Sequence, residues 1–464
     1  MRSWILLIFA TLLCACTTAP KYETIDGVLE VLENRQNPNS RTLKLVYKVL
    51  RAKDTTSGKA PIVYLQGGPG GATLITEEFW KNHPLRNDRD IVLMDQRGTG
   101  VSEANCTDMG DAIFAIVRRD LSYEKELRAL DSIFNDCKVN LDQKRIDLAG
   151  YTSKENAADF EDLRKVLGYK KWNLFGASYG TRLGLTIMRD FPKGVRSAVF
   201  AGVFPPETQL FGELIGNFEN SLFEVLERCE ENADCNSLYP NLKERLIKTL
   251  KKLQSEPLIL DYDSKPLVLN RRDALLILHQ SLYSRYSIAE APKIIDALEK
   301  GKSEPIGIAL KRVEFIYNLV NWPMNNSVMA YEELPFFGSS DMNKILKKSQ
   351  LGFDVATFEG FNSLSDWHQY RAPALENQPV TSDIPTLLVS GALDPVTPPS
   401  NTRIALKHLK NGYVVVFPDE SHEFISPCFF QITEDFINNP FQKPNIACST
   451  ERTPIEWNLS NPIQ

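Results

Sequence analysis

The chain has 464 residues, 43% of them hydrophobic and 24% charged, which is an ordinary globular composition with enough length for a large core. A formal net charge of -6 and a pI of about 5.6 leave no overall basic field, so nucleic acid is not an expected partner. The length favours two or three folding units, and nothing in the composition indicates an oligomeric state.

The N-terminus is predicted to be an export signal. Arg2 precedes a largely apolar run from Trp4 to Leu13, which is too short to span a bilayer but suits a secretory signal peptide. The following Leu-Cys-Ala-Cys16 resembles the lipobox of bacterial lipoproteins, and this resemblance makes 1–15 the signal peptide and Cys16 the lipidated first residue. An ordinary signal peptide cleaved nearby is the alternative. We expect a protein of the bacterial cell envelope, facing the periplasm or in the outer membrane, that partners a membrane through its lipid.

Short apolar runs bounded by glycine or proline predict the strands of a sheet. A hairpin is expected over 27–53, and further strands over 61–65, 90–94, 172–175, 197–200, 386–390 and 413–417. These runs are apolar almost throughout, as in a parallel sheet that is buried on both faces. A helical pattern over 152–168 separates two of them, and this alternation predicts an α/β fold with crossover helices.

The segment 205–374 interrupts the alternation. It has helical patterns over 211–229, 242–253, 272–283 and 288–298 and few strand-like runs. We interpret it as a helical cap inserted between two parts of an α/β core, 16–204 and 375–464. A separate helical domain is the alternative, but strands return after Asp383, which favours insertion.

Six cysteines lie outside the signal region, and an even number in an exported chain predicts disulfides. Closeness in sequence favours the pairs Cys106–Cys137, Cys229–Cys235 and Cys428–Cys448. No Cys-x-x-Cys occurs and the five histidines are scattered, so we expect no metal and no other cofactor.

Gly176-Ala-Ser178-Tyr-Gly180 lies between a strand pattern and a helix pattern. A Gly-x-Ser-x-Gly motif in this context lifts a serine hydroxyl above the sheet in a strained turn, beside the positive end of the following helix. Ser178 is therefore the predicted nucleophile.

A nucleophilic serine needs a base and an orienting acid, which in this fold follow it in the order acid, then histidine. Asp394 follows the strand over 386–390, and His422 follows the strand over 413–417. Both would lie at the edge of the sheet that carries Ser178. A turn aspartate and a solvated loop histidine are the separate alternatives, but the ordered set favours a Ser178–His422–Asp394 triad.

Gln66-Gly-Gly-Pro-Gly-Gly71 follows another strand. Its glycines would let the backbone turn tightly and present amides, so Gly68 N–H and Tyr179 N–H are the predicted oxyanion hole. No Gly-Lys-Ser/Thr follows, which excludes a nucleotide-binding loop.

Together these motifs resemble the proline iminopeptidase and tripeptidyl aminopeptidase family. The resemblance rests on the Gln66–Gly71 motif, on Met94-Asp-Gln-Arg-Gly-Thr-Gly-Val-Ser102 and on the serine motif, and its tripeptidyl branch is indicated by Ser390-Gly-Ala-Leu-Asp-Pro-Val-Thr-Pro-Pro399 and by the last two cysteine pairs. It implies metal-free hydrolysis of short peptides from a free amino terminus. Two positions depart from the family pattern: Gln66 replaces a common histidine, and Glu423 replaces the usual glycine after His422.

An aminopeptidase must hold the α-ammonium group of its substrate, which is costly to bury without a carboxylate. The acidic candidates in the predicted cap are Glu207, Glu332, Glu333 and Glu359. The segment 327–335 resembles the family's site-facing cap segment, so Glu332 is our first choice, with a surface glutamate as the alternative.

Two other functions fit the same residues. An esterase or lipase would share the fold and triad, because a fold does not fix the substrate. A catalytically silent surface binding protein would share the fold alone, and the complete triad argues against it.

Overall fold

The structure is a computed structural model that describes residues 23–337 and 370–460, together with 344, 346–352, 364, 366 and 367. The predicted signal peptide, Cys16 and Glu359 lie outside these residues. None of the helices described is long and apolar enough to cross a bilayer.

A mostly parallel sheet is the centre of the fold. The described residues form the strands β1 Thr24–Leu32, β2 Thr42–Leu50, β3 Ile62–Leu65, β4 Ile91–Met94, β5 Trp172–Ala177, β6 Val195–Ala201, β7 Leu258–Tyr262, β8 Lys265–Leu269, β9 Thr386–Gly391 and β10 Gly412–Phe417. Eight of them form one sheet in the order β1-β2-β4-β3-β5-β6-β9-β10. The predicted hairpin β1–β2 joins β4 antiparallel, and the strands from β4 to β10 in this order are parallel. The predicted α/β fold is therefore confirmed.

Helices cover both faces of the sheet. They are α1 Glu77–Asn82, α2 Met109–Val117, α3 Tyr123–Gln143, α4 Ser153–Val166, α5 Tyr179–Asp190, α6 Leu210–Glu231, α7 Ala233–Leu238, α8 Leu242–Leu253, α9 Arg271–Ser281, α10 Arg285–Ile288, α11 Ala291–Lys300, α12 Ser303–Leu319, α13 Trp322–Val328, α14 Pro399–Leu406 and α15 Pro427–Asn438. The predicted helix over 152–168 is α4: the Thr152 side chain accepts the Glu155 N–H at its start, and Gly168 adopts a φ of 73° after its end.

Alternate residues of each central strand face opposite sides of the sheet. Val63 packs in a core layer with α4 and α5, whereas its neighbours Ile62 and Tyr64 pack with α1 and α15. Burial on both faces explains the continuous apolar runs and makes the sheet a rigid base for the loops at its carboxyl edge.

The chain between β6 and β9 is mainly helical, with α6 to α13, and it also contains an antiparallel hairpin of β7 and β8. The sequence patterns gave no prediction of this hairpin. Its turn residues Asp263 and Ser264 adopt φ values of 50° and 58°, the left-handed region that a two-residue hairpin turn requires. Glycine or asparagine usually occupies such a turn. Because neither residue is present here, the sequence did not indicate the hairpin.

The three predicted disulfides are confirmed. Cys106–Cys137, Cys229–Cys235 and Cys428–Cys448 are bonded, with Cα–Cα distances of 5.7, 5.3 and 5.9 Å. The last bond ties the start of α15 to the C-terminal segment.

Candidate active site

Ser178 forms the tight turn between β5 and α5. Its φ and ψ are 54° and -124°, an unfavourable conformation for a residue with a side chain. The flanking glycines are required by space: a Cβ on Gly176 would lie 2.6 Å from the Gly180 carbonyl oxygen, and one on Gly180 would lie 1.9 Å from that of Leu65. The structure therefore has the nucleophile turn that the Gly-x-Ser-x-Gly motif predicts.

Asp394 and His422 lie in the loops after β9 and β10 and form a hydrogen bond, with 2.9 Å between His422 Nδ1 and Asp394 Oδ2. Three further donors satisfy the Asp394 carboxylate. The N–H groups of Val396 and Thr397 donate to Oδ1 at 2.8 Å, and the Thr397 hydroxyl donates to Oδ2 at 2.6 Å. Thr397 was not predicted from the sequence, although its position three residues after an aspartate is typical of a side-chain-capped turn.

The two groups shift each other's pKa. Burial disfavours the imidazolium form of His422, but the Asp394 carboxylate outweighs this and raises its pKa. Burial acts against the Asp394 carboxylate too, but the charge and hydrogen bond of His422 and the bonds from Thr397 lower its pKa. Asp394 therefore stays ionised and stabilises a protonated His422.

Ser178 and His422 lie beside the same turn at the end of β6. The Ser178 N–H donates to the Ala201 carbonyl oxygen at 2.9 Å. A Cβ on the next residue, Gly202, would lie 3.3 Å from His422 Cε1 and 3.0 Å from Thr397 Oγ1. This turn brings the predicted nucleophile and base together.

The segment after α9 holds the His422 loop. The Tyr283 carbonyl oxygen accepts the N–H groups of both His422 and Glu423 at 3.1 Å. The Tyr283 ring packs edge-on against the His422 ring, with centroids 5.3 Å apart, and the Ser421 hydroxyl donates to the Leu282 carbonyl oxygen. Sequence reasoning missed Tyr283 because nothing local links it to a loop more than a hundred residues later.

The glycine loop lies against the nucleophile. A Cβ on Gly67 would lie 3.0 Å from Ser178 Cβ and 3.6 Å from Ser178 Oγ. Gly68 follows with a φ of 124°. In the part of the chain that is described, neither the Gly68 N–H nor the Tyr179 N–H donates a hydrogen bond to a protein acceptor. This suits the predicted oxyanion hole, which remains a prediction.

Glu332 lies in a π-helical turn, Met329–Glu333, and is 1% exposed. Its Oε1 accepts the Ser153 N–H at 2.6 Å, and its Oε2 accepts the Ser153 hydroxyl at 2.7 Å and Arg182 Nε at 3.2 Å. The Ser153 hydroxyl is also 2.8 Å from the Tyr179 hydroxyl. Glu332 thus reaches the helix that follows the nucleophile, but its oxygens already have partners, which disfavours it as the direct ligand of a substrate ammonium.

Glu333 shares the same cation. Its Oε1 lies 2.5 Å from Arg182 Nη1, and its Oε2 accepts a long 3.4 Å bond from the Leu210 N–H. Burial raises its pKa to about 7, with Arg182 opposing and the charge of Glu332 adding to the rise. Two buried carboxylates therefore face one guanidinium and leave an excess of negative charge.

The other predicted cap carboxylate that is described, Glu207, follows β6 and has an Oε2 atom that is buried without a hydrogen-bond partner in the described part of the chain. No group of three histidine, cysteine, aspartate or glutamate residues that could hold a metal ion occurs among the residues described.

The fold and this site define a serine hydrolase of the α/β-hydrolase fold. Residues 60–244 match the family model "alpha/beta hydrolase fold", and residues 350–448 match the model "TAP-like protein". The serine protease Hip1 of Mycobacterium tuberculosis is 22% identical over 86% of this chain and 81% of its own length. The chain is therefore similar in sequence to α/β-hydrolases, and this peptidase is one of them.

Two further relatives align over shorter segments. The proline iminopeptidase of Neisseria gonorrhoeae is 27% identical over 34% of this chain and 37% of its own length. The tripeptidyl aminopeptidase of Streptomyces lividans is 27% identical over 39% of this chain and 35% of its own length. These alignments thus span little more than a third of either relative.

Proposed function

We propose that the protein is an exported serine exopeptidase that hydrolyses short peptides from a free amino terminus. The proposal rests on the buried carboxylates Glu332 and Glu333, which adjoin the helix of the predicted nucleophile and, among the residues described, form ion pairs with Arg182 alone. A substrate α-ammonium would neutralise the excess charge. When no substrate ammonium is bound, the raised pKa of Glu333 lets its carboxylate take up a proton instead.

The proposed reaction passes through an acyl-enzyme. His422 takes the Ser178 hydroxyl proton while Oγ attacks the scissile carbonyl, and the Gly68 and Tyr179 amides stabilise the oxyanion. Collapse of the intermediate breaks the C–N bond, and His422 gives its proton to the leaving amine. Water then attacks the acyl-enzyme with His422 as base, and the acyl group is released from Ser178.

The substrate's amino terminus provides the test. We expect cleavage of short free peptides and much weaker cleavage of the same peptides after N-acetylation, because acetylation removes the charge that the carboxylates bind. Losing a buried charge pair costs about 2–5 kcal/mol, so kcat/KM should fall by a factor of tens to thousands. Chromogenic aminoacyl, dipeptidyl and tripeptidyl substrates, free and blocked, measure this directly.

Other outcomes of the same screen identify the rival functions. Equal rates on free and blocked peptides would indicate an endopeptidase. Fast hydrolysis of short acyl esters without peptide turnover would indicate an esterase. No turnover and no labelling by a fluorophosphonate probe would indicate a binding protein.

Glutamine variants identify the carboxylate responsible. We expect Glu333→Gln to lower kcat/KM on free peptides and to change little on blocked ones, since it removes the excess charge while Glu332 keeps its partners. Glu207→Gln is the matched control outside the pair and should keep the selectivity. If Glu332→Gln is the only variant that removes the selectivity for a free amino terminus, the choice of Glu332 from the sequence is correct. If selectivity survives all three changes, the pair is not the ligand.

We also propose that the chain is exported and lipid-anchored at Cys16. Three disulfides support export, because such bonds persist in oxidising compartments. The mature protein should fractionate with membranes, and Cys16→Ser should release it or stop its processing. Stable attachment needs more than one acyl chain, which intact-mass analysis would reveal. A Cys16→Ser form that is processed and membrane-bound as before contradicts the anchor.

A further inference from the structure

A cavity of about 670 Å³ lies beside the loop that carries His422. Glu420 and Glu423 line it, whereas the two residues between them, Ser421 and His422, do not. The Ser421 hydroxyl turns away to the Leu282 carbonyl oxygen. The cavity is therefore separate from the catalytic groups but shares their loop.

The lining of this cavity is strongly acidic. Its carboxylates are Glu290, Asp419, Glu420, Glu423, Glu451 and Glu456, and Arg285 is the one basic residue among the described residues that line it. Two of the carboxylates have partners: Asp419 binds Arg228 at 2.7 Å and Arg452 at 2.9 Å, and Glu290 accepts the Asn458 amide at 2.9 Å. Of the others, Glu420 faces Arg285 at 4.0 Å, and the charges of His422 and Arg312 oppose that of Glu423.

Glu420 is buried, with 5% of its surface exposed, as is Asp419, which has its two arginine partners. The Oε1 atom of Glu420 lies 4.0 Å from Arg285 Nη1, too far for a hydrogen bond, and its Oε2 is buried with no donor among the residues described. Burial raises the pKa of this carboxyl, although Arg285 opposes the rise. A buried carboxylate without a donor is costly, and a cationic ligand would supply one.

The remaining wall suits an alkyl chain. Tyr286 is 67% exposed and Ile425 is 49% exposed beside the carboxylates, and Phe417 and Ala289 add apolar surface. The volume far exceeds that of a bare ion, and the described carboxylates form no metal-binding group of three. An extended organic cation fits both the charge and the shape.

We propose that this cavity binds an organic cation, a primary ammonium or guanidinium group on an alkyl chain, with Glu420 as its buried partner and Glu423 at its mouth. The cation is either a free diamine-like molecule or the basic side chain of a peptide. Glu423 directly follows His422, and its charge helps to raise the pKa of His422. A cation bound at Glu423 would therefore change the pKa of His422. The site does not depend on the proposed peptidase activity.

Isothermal titration of the mature chain with agmatine tests the site without any turnover, with 1,5-pentanediol as the uncharged control. We expect saturable 1:1 binding of agmatine, none of the diol, and weakening by about tenfold or more in Glu420→Gln, because a charged hydrogen bond is lost. Glu230→Gln, an exposed change on α6 outside the cavity, should bind agmatine as the unchanged protein does. No saturable binding, or equal weakening in both variants, overturns the proposal.

Two additions complete the experiment. Circular dichroism shows whether Glu420→Gln folds, and if it does not, Glu423→Gln at the mouth takes its place with the same expected loss. Competition on a Ser178→Ala background, between agmatine and a peptide with lysine or leucine after the scissile bond, identifies the source. Displacement by the lysine peptide alone assigns the cation to the substrate, and no displacement by either assigns it to a free molecule.

Discussion

Replacing Ser178 with alanine is expected to abolish turnover of every substrate while leaving the fold intact. Loss of a triad nucleophile costs on the order of 10⁶ in kcat, because no other group forms the acyl intermediate. Alanine keeps the Cβ that already meets the surrounding backbone at a φ of 54°, so the turn should be no more strained than before. Steady-state kinetics on the best substrate measures the loss.

Fluorophosphonate labelling and thermal unfolding provide the controls for this variant. The unchanged protein should be labelled, Ser178→Ala should not, and the two should unfold at similar temperatures. Near-normal activity in a folded Ser178→Ala protein would remove this residue from the mechanism.

Asp394→Asn is expected to lower kcat by about 10⁴-fold, because an amide no longer holds His422 in the tautomer that accepts the serine proton. The change should also move the pH dependence. The Asp394 carboxylate raises the pKa of His422 against the effect of burial, so its removal leaves burial to lower that pKa. Since the base must be neutral, the acid limb of kcat/KM should shift to lower pH.

Thr397→Val is the matched control for this position. It removes the hydroxyl that donates to Asp394 Oδ2 at 2.6 Å but keeps the negative charge and the backbone donors. It should cost much less activity and should leave the acid limb close to that of the unchanged protein. An acid limb that stays in place in Asp394→Asn would mean that another group sets the pKa of His422.

Local patterns were enough to predict the fold class and the sheet edge at which the three proposed catalytic residues lie. Ser178, Asp394 and His422 each follow a short apolar strand, and the carboxyl ends of parallel strands meet at one edge, so strand order alone places them together. The disulfides were predictable because each pair is close in sequence.

The surroundings of Glu332 were not predictable in this way. Its partners Arg182 and Ser153 are 150 and 179 residues away, on two helices of the core. A sequence pattern marks Glu332 as an acidic cap residue but does not show which cation the fold brings to it. The same limit applies to Tyr283, whose backbone carbonyl, rather than its side-chain type, binds the His422 loop.

The backbone bonds from Tyr283 to His422 and Glu423 have a consequence for engineering and evolution. A chain without the segment after α9 would keep Ser178 and Asp394 but would lose these two backbone bonds to the loop of His422. An exchange of the helical region between β6 and β9 with that of a relative must therefore carry over the segment after α9 together with the matching histidine loop.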